Sequence, residues 1–293
     1  MLQKVNNFIT KKKRIGLILG GGNLAIYCME RLAHLGYEIT VARLPCSQVK
    51  IISNIDFIDI KYEEINKAFS FLKRKKIFEI VLIGYMDRPQ IDALKATPAS
   101  QKILMKVLST LNKGDGTIFS AVKEMLIEQN FKLVKCQDLL PELTMSTGRY
   151  GSPIVGEKVL QEIEAGIKIF LKYTKLDVGQ SLIFQNGHCL GMETITGTDE
   201  MIKNLIHYRK NDTGPLKISS GGILIKGTKP EQDLDIDTPV VGPNTIKLAK
   251  KAKLTGLLIE SNKVILENRD LIIDMLTSYK MFLVVANFLN KDF

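Results

Sequence analysis

Short apolar runs alternate with helically spaced stretches along the first third of the chain. Residues 14–19 (RIGLIL) read as a buried parallel strand. Residues 24–35 place apolar side chains at helical spacing, and Gly36 is suited to end that helix. Residues 38–43 and 77–83 predict two more strands, and residues 100–111 and 117–129 predict amphipathic helices. Thr97-Pro98 resembles a helix start before the first of these. A Gly114-Asp115-Gly116 turn precedes the second, and residues 131–135 start another strand. This βαβ order predicts a parallel sheet covered by helices. The Gly/Ser/Thr-rich stretch TMSTGRYGSP then predicts a linker over residues 137–152, between domains at 1–136 and 153–293. Beyond it come a helix at 156–173, a hairpin at 180–185 and 187–192, a helix at 199–209 and a strand at 223–225. Segments 245–252, 256–260, 271–280 and 282–286 continue the alternation. The fold class is α/β in two domains, an N-terminal Rossmann-like parallel sheet with helices and a second α/β domain.

One segment breaks the pattern. In KGTKPEQDLDIDTPVVGP, residues 226–243, acidic side chains recur at every second position: Glu231, Asp233, Asp235 and Asp237. If the segment is extended, all four project to one side, and Pro230 and Pro239 argue against a continuous helix. Like charges packed this way call for a positive partner, either a hard divalent cation with oxygen ligands or the nearby Lys226 and Lys229. The plainer reading is a solvated acidic loop.

Gly20-Gly21-Gly22-Asn23-Leu24-Ala25 satisfies G-x-G-x-x-A between a strand and a helix, where backbone N–H groups and a helix N-terminus can meet phosphate. Arg43, ending the second strand, stands where an NADP 2′-phosphate contact could fall. Three adjacent glycines also make a tight structural turn. Asp177-Val178-Gly179-Gln180 precedes a strand. Glu193 and Gly197-Thr198-Asp199 precede a helix, with Thr198 or Asp199 as N-cap or ligand. His34, His188 and His207 do not cluster and are assigned no catalysis.

Charge narrows the partners. The net charge of +10, from 41 basic against 31 acidic residues, favours an anionic partner. The basic runs at 11–14 and 73–76 lack interleaved aromatics, so they read as solvated faces and no nucleic acid is expected. Cys28, Cys46, Cys136 and Cys189 lie far apart in the sequence with no CxxC pair, which argues against a disulfide framework or zinc site and makes a reducing cytoplasm the default. No run approaches the length of a membrane span.

Read together, IGLILGGGNLA, GDGTIFSAV, DLLPEL, DVGQ, Glu193 with GTD, and KPEQDLDIDTPVVGP resemble, in this order, the LpxI-type UDP-2,3-diacylglucosamine pyrophosphatases of lipid A biosynthesis. The resemblance spans residues 14–287. It implies metal-dependent hydrolysis of UDP-2,3-diacylglucosamine to UMP and 2,3-diacylglucosamine 1-phosphate, by water attacking the phosphorus next to the sugar. It also implies a catalytic C-terminal domain and a lipid held between the domains. On this reading Asp233 and Asp237 are catalytic and, with Glu193 and Asp199, bind Mg2+ or Mn2+. Gly20, Gly21, Gly22, Asn23, Gln180, Thr198, Lys226, Lys229 and Gln232 contact the substrate. The chain departs from the family pattern at Ala25, where proline is usual, at Gly116, where Asp is common, and at Asp235, where a basic residue is common. A cytoplasmic protein in peripheral contact with the inner membrane surface is expected, with a homodimer as a further expectation. Two rivals stand beside it: an NAD(P)-dependent oxidoreductase using the glycine turn, and a non-catalytic nucleotide-sugar or lipid-phosphate binder.

Overall fold

Strands that are apolar on both faces need helices on both faces, and the chain meets that need twice, in units Met1–Leu140 and Pro141–Phe293. The computed structural model describes residues 13–86, 91–92, 94–110, 115–153, 155–211, 218–230 and 232–290. The first unit runs β1 (Arg14–Leu19), α1 (Asn23–His34), β2 (Glu38–Arg43), β3 (Asp56–Asp59), α2 (Ile65–Arg74), β4 (Glu79–Ile83), α3 (Pro98–Leu108), α4 (Asp115–Glu128), β5 (Lys132–Leu133) and the short α5 (Cys136–Leu139). Its five strands are all parallel in the order β3-β2-β1-β4-β5, the doubly wound arrangement. Gly36 follows α1 at φ 83°, as its role of ending the helix requires. The Thr97 hydroxyl accepts the Ser100 N–H at 3.2 Å and so caps α3. Gly114 lies outside the described residues, and Gly116 sits inside the first turn of α4.

β3 and α2 are among the elements that were not predicted. β3 is a four-residue edge strand, mostly exposed, so it carries no apolar run. α2 does carry the signal, since its buried Ile65, Ala68, Phe69 and Leu72 fall at i, i+3, i+4 and i+7.

The second unit comprises β6 (Gly148–Gly151), α6 (Glu157–Thr174), β7 (Ser181–Gln185), β8 (His188–Met192), α7 (Gly197–Asn211), β9 (Ile223–Lys226), β10 (Val240–Val241), α8 (Pro243–Lys251), β11 (Gly256–Glu260), β12 (Ile265–Leu266), α9 (Arg269–Ser278) and β13 (Phe282–Ala286). Its main sheet has the order β6-β13-β11-β9-β7-β8. β9, β11 and β13 are parallel, while β6 and β7 join antiparallel. The hairpin β7–β8 turns at Asn186-Gly187, both at positive φ, the chemistry a tight two-residue turn demands. The predicted linker 137–152 is not free chain. It contains part of α5, a 3-10 turn at Pro141–Leu143, and β6, which pairs with β13.

Side-chain alternation divides the core of this sheet. Leu182, Phe184 and Ile225 meet Ile163, Ile167 and Phe170 of α6 on one face. Ile183, Leu224 and Leu257 meet Ile202, Ile246 and Ile272 from α7, α8 and α9 on the other. Phe170 is fully buried and packs edge-on to Phe288, their centroids 5.3 Å apart. Phe170→Ala is expected to cost about 3–5 kcal/mol of stability, as for other large aromatic truncations. Urea denaturation followed by circular dichroism measures this, and a loss under about 1 kcal/mol would contradict the packing described.

Candidate active site

In open α/β sheets, ligands bind beyond the carboxyl ends of parallel strands, and in the second unit those ends carry polar side chains. Lys226 ends β9 and Glu260 ends β11, and both are buried. β7 runs antiparallel, so its first residue, Ser181, is the register partner of Lys226.

A connected network grows from this point. Glu193, just after β8 and buried, accepts the Thr198 hydroxyl at 2.9 Å through Oε1. Its Oε2 accepts the backbone N–H of Gln180 at 3.2 Å. With the Thr198 proton committed to Glu193, its oxygen accepts from Lys226 Nζ at 2.6 Å and stands 3.1 Å from Ser181 Oγ. The Tyr173 hydroxyl donates to the Glu193 carbonyl, and burial, with Glu193 beside it, pushes the phenol pKa up so that it stays protonated. Burial lowers the Lys226 pKa against the opposing attraction of Glu193, Asp199 and Asp237.

The acidic segment is not extended. The Asp233 carboxylate accepts the Asp235 N–H at 3.0 Å, and its carbonyl accepts the N–H groups of Ile236 and Asp237 at 3.2 and 3.0 Å. Asp is able to turn its own backbone in this way, so it wins over strand formation where no neighbouring strand competes. The expected row of four carboxylates on one side is therefore replaced by a helical-type turn with Asp233 and Asp237 at i and i+4. Glu231 lies outside the described residues. Gln232 fastens the turn, donating through Nε2 to Asp237 Oδ2 at 2.7 Å and to Gln180 Oε1 at 3.0 Å. At the start of the loop, Glu260 Oε2 accepts both the N–H and the hydroxyl of Thr228, at 2.8 and 2.7 Å, while Lys263 pairs with its other oxygen at 2.6 Å. Lys229 pairs with Asp177 at 2.6 Å.

Six of the predicted second-domain residues thus meet in one network: Gln180, Glu193, Thr198, Lys226, Gln232 and Asp237. Asp233 forms the turn that presents Asp237, and Lys229 joins that loop to Asp177. Asp199 behaves otherwise. It lies within the first turn of α7, and its two oxygens accept from Thr245 Oγ1 at 2.8 Å and Asn244 Nδ2 at 2.6 Å, so it ties α7 to α8. Thr198 likewise serves Glu193 rather than capping the helix. Ser181, Thr228 and Glu260 were missed. The available signal for Glu260 was a carboxylate closing an apolar strand, GLLIE.

The four predicted metal ligands do not make one donor set. Among the described residues no three His, Cys, Asp or Glu side chains are grouped to hold a metal ion. Both Glu193 oxygens and both Asp199 oxygens accept protein donors. Asp233 and Asp237 also accept protein donors, from the Asp235 N–H and from Gln232 Nε2. A carboxylate that accepts a hydrogen bond can still ligate, and two carboxylates suffice for a magnesium ion when substrate phosphates and water complete its shell.

The glycine turn of the first unit is occupied by its own fold. Gly20 donates to the Ile83 carbonyl at 2.8 Å, and Gly21 and Tyr85 exchange two backbone hydrogen bonds at 2.9 Å. A Cβ on Gly21 would overlap the Tyr85 ring. The N–H groups of Gly20 and Gly21 are therefore not phosphate donors, which leaves Gly22 and Asn23 at the head of α1. Arg43 is also committed, to Asp59 at 2.6 Å and to the Val49 carbonyl at 3.0 Å, so the NADP contact is withdrawn.

The LpxI N-terminal domain family matches residues 14–143, and the LpxI C-terminal domain family matches residues 146–284. A relative named UDP-2,3-diacylglucosamine pyrophosphatase LpxI, from Caulobacter vibrioides, is 24% identical over 261 residues, covering 89% of this chain and 93% of its own. Two solved structures are more distant. The Bordetella bronchiseptica enzyme WbmH in complex with NAD+ is 10% identical over 39% of this chain and 36% of that one, with a TM-score of 0.25. A glycinamide-RNase-transformylase T from Mycobacterium tuberculosis is 11% identical over 58% of this chain and 41% of that one, with a TM-score of 0.21. Neither carries an argument about fold or function.

Two outcomes test this geometry. The unfolded chain keeps the Lys226 proton to higher pH than the folded one, so stability rises with pH between the folded and unfolded pKa values. Lys226→Met is expected to be at least as stable as wild type at neutral pH and to gain less on alkalinisation, read by calorimetry at stepped pH. Its turnover should fall by about 100-fold or more. In the first unit, Gly21→Ala should destabilise the fold and Tyr85→Ala should relieve that cost. A double-mutant cycle should show a coupling above about 0.5 kcal/mol, and strict additivity would remove the ring from its place over Gly21.

Proposed function

Since the chain belongs to the LpxI family, which its two domains match in turn, we propose that it hydrolyses the pyrophosphate of UDP-2,3-diacylglucosamine in lipid A synthesis, giving UMP and 2,3-diacylglucosamine 1-phosphate. The observation that carries this reading is the tie from Gln180 through Gln232 to Asp237, which holds a carboxylate at the strand ends near the buried Lys226. Hydrolysis of a phosphoric anhydride needs a proton acceptor for water and compensation for charge on the bridging oxygen. Asp237 and Asp233, on the turn of the acidic loop, are the carboxylates assigned to the first task. Water's oxygen joins the phosphorus on the sugar side, its proton passes to the carboxylate, and the anhydride bond breaks with UMP as the leaving group. Lys226 contributes positive charge at the floor of the site and sets the donor geometry of Thr198.

Magnesium or manganese, held by Asp233 and Asp237 together with the substrate phosphates, would neutralise the pyrophosphate. The turn and the arginine that an oxidoreductase would need are committed to the fold. Among the described residues no helix is long and apolar enough to cross a membrane, and reversible contact with the inner membrane surface suits a two-chain lipid substrate.

Incubation with UDP-2,3-diacylglucosamine should release UMP with magnesium, and EDTA should abolish the release until metal is restored. Asp233→Asn and Asp237→Asn should each lower turnover by about 100-fold or more. No UMP above background from folded protein with either metal would sink the proposal, and full activity in both variants would move the chemistry elsewhere.

A further inference from the structure

One corner of the second unit leaves aliphatic side chains in solvent beside the site. Leu176 is 72% exposed and Ile195 84%, and Val178 and Met192 are half exposed. Single exposed aliphatics are ordinary, but these four rim the residues that build the site. Gln180 follows Val178 by two positions, and Glu193 follows Met192 directly. Gly179 closes the corner, because a Cβ there would overlap the Glu193 carbonyl and the Tyr173 hydroxyl, so only glycine lets the two segments meet. Asp177, at φ 54°, extends the same corner to the acidic loop through its ion pair with Lys229 at 2.6 Å.

The adjoining end of α6 supplies charge. Lys168, Lys172 and Lys175 stand at i, i+4 and i+7, hence on one face, and all three are exposed. An aliphatic rim bordered by a row of ammonium groups complements an anionic bilayer: the aliphatic tips enter the acyl boundary while the ammonium groups meet lipid phosphates. We propose that this corner, residues 168–178 with 192–195, is a membrane-docking surface that seats on an anionic bilayer and presents the active site at its plane. The inference deepens the reading of the protein as an enzyme acting on a diacylated lipid and rests on it. The Asp177–Lys229 pair makes the docking surface continuous with the loop that carries Asp233 and Asp237.

Flotation of the full-length protein tests this, using vesicles of phosphatidylglycerol with phosphatidylethanolamine against vesicles of phosphatidylcholine, at low and high salt. Wild type should float with the anionic vesicles, and less so at high salt. Leu176→Asp combined with Ile195→Asp should lower the bound fraction about tenfold. Lys172→Glu combined with Lys175→Glu should weaken binding and remove its salt dependence. In detergent micelles both double variants should release UMP within about twofold of wild type, as surface substitutions do. Absence of wild-type flotation, or undiminished flotation of both variants, would overturn the docking surface even if hydrolysis is normal. A change from dimer to monomer in the aliphatic variant, with flotation unchanged, would overturn it too and give the face to a second copy of the chain. Failure of wild type to release UMP in micelles while vesicle binding responds as expected would overturn the enzymatic reading and leave the surface standing.

Discussion

The ammonium of Lys226 is out of water at the carboxyl end of β9, and much of the second unit is arranged around that fact. Removing an ammonium from solvent costs several kcal/mol even after relaxation. It is tolerated when hydrogen bonds and opposite charges surround it. Thr198 supplies the direct acceptor, and Glu193, Asp199 and Asp237 supply the field. Removing one of these would weaken that compensation. The network is thereby compelled to be complete, and no buried side-chain nitrogen or oxygen among the described residues lacks a partner.

The acidic loop inherits its shape from this network. A stretch with alternating aspartates between prolines has no strong preference of its own. It is fixed from outside, at Thr228 by Glu260 and at Gln232, which holds Asp237, by Gln180. Between those anchors Asp233 folds the backbone back on itself. Gly227, at the mouth of the loop, has no room for a side chain, since a Cβ would stand 3.0 Å from Glu260 Oε2 and 2.7 Å from the Phe288 ring. The apolar core and the polar site therefore touch at this residue, and core packing at Phe170 and Phe288 bears on where the loop begins.

The first unit shows how a motif can fit its pattern and serve another end. Its glycines follow a strand, open a helix and stand at the point where strand order reverses between β1 and β4, as a dinucleotide site requires. Backbone groups that could meet a phosphate are spent on Ile83 and Tyr85, and the ring of Tyr85 lies where side chains at the turn would go.

Much of the fold was legible in the linear pattern, because apolar runs and helical spacing report which faces are buried, a local property of each segment. The parallel sheet of the first unit, the Asn186-Gly187 hairpin and the helix stop at Gly36 belong here, as does the ordered set of motifs by which the family was recognised. The edge strand β3 escaped because nothing buries it, and the linker 137–152 escaped because β6 gains its pairing from β13, more than a hundred residues away. The site divides in the same way. Gln180, Glu193, Thr198, Lys226, Gln232 and Asp237 could be named from motifs. Their division into network, tie and turn could not, since Asp199 was drawn away by Asn244 and Thr245 and Glu260 entered from a strand with no motif of its own. Hydrogen bonds between residues distant in sequence depend on strand order and register, and only the folded sheet decides which polar ends become neighbours.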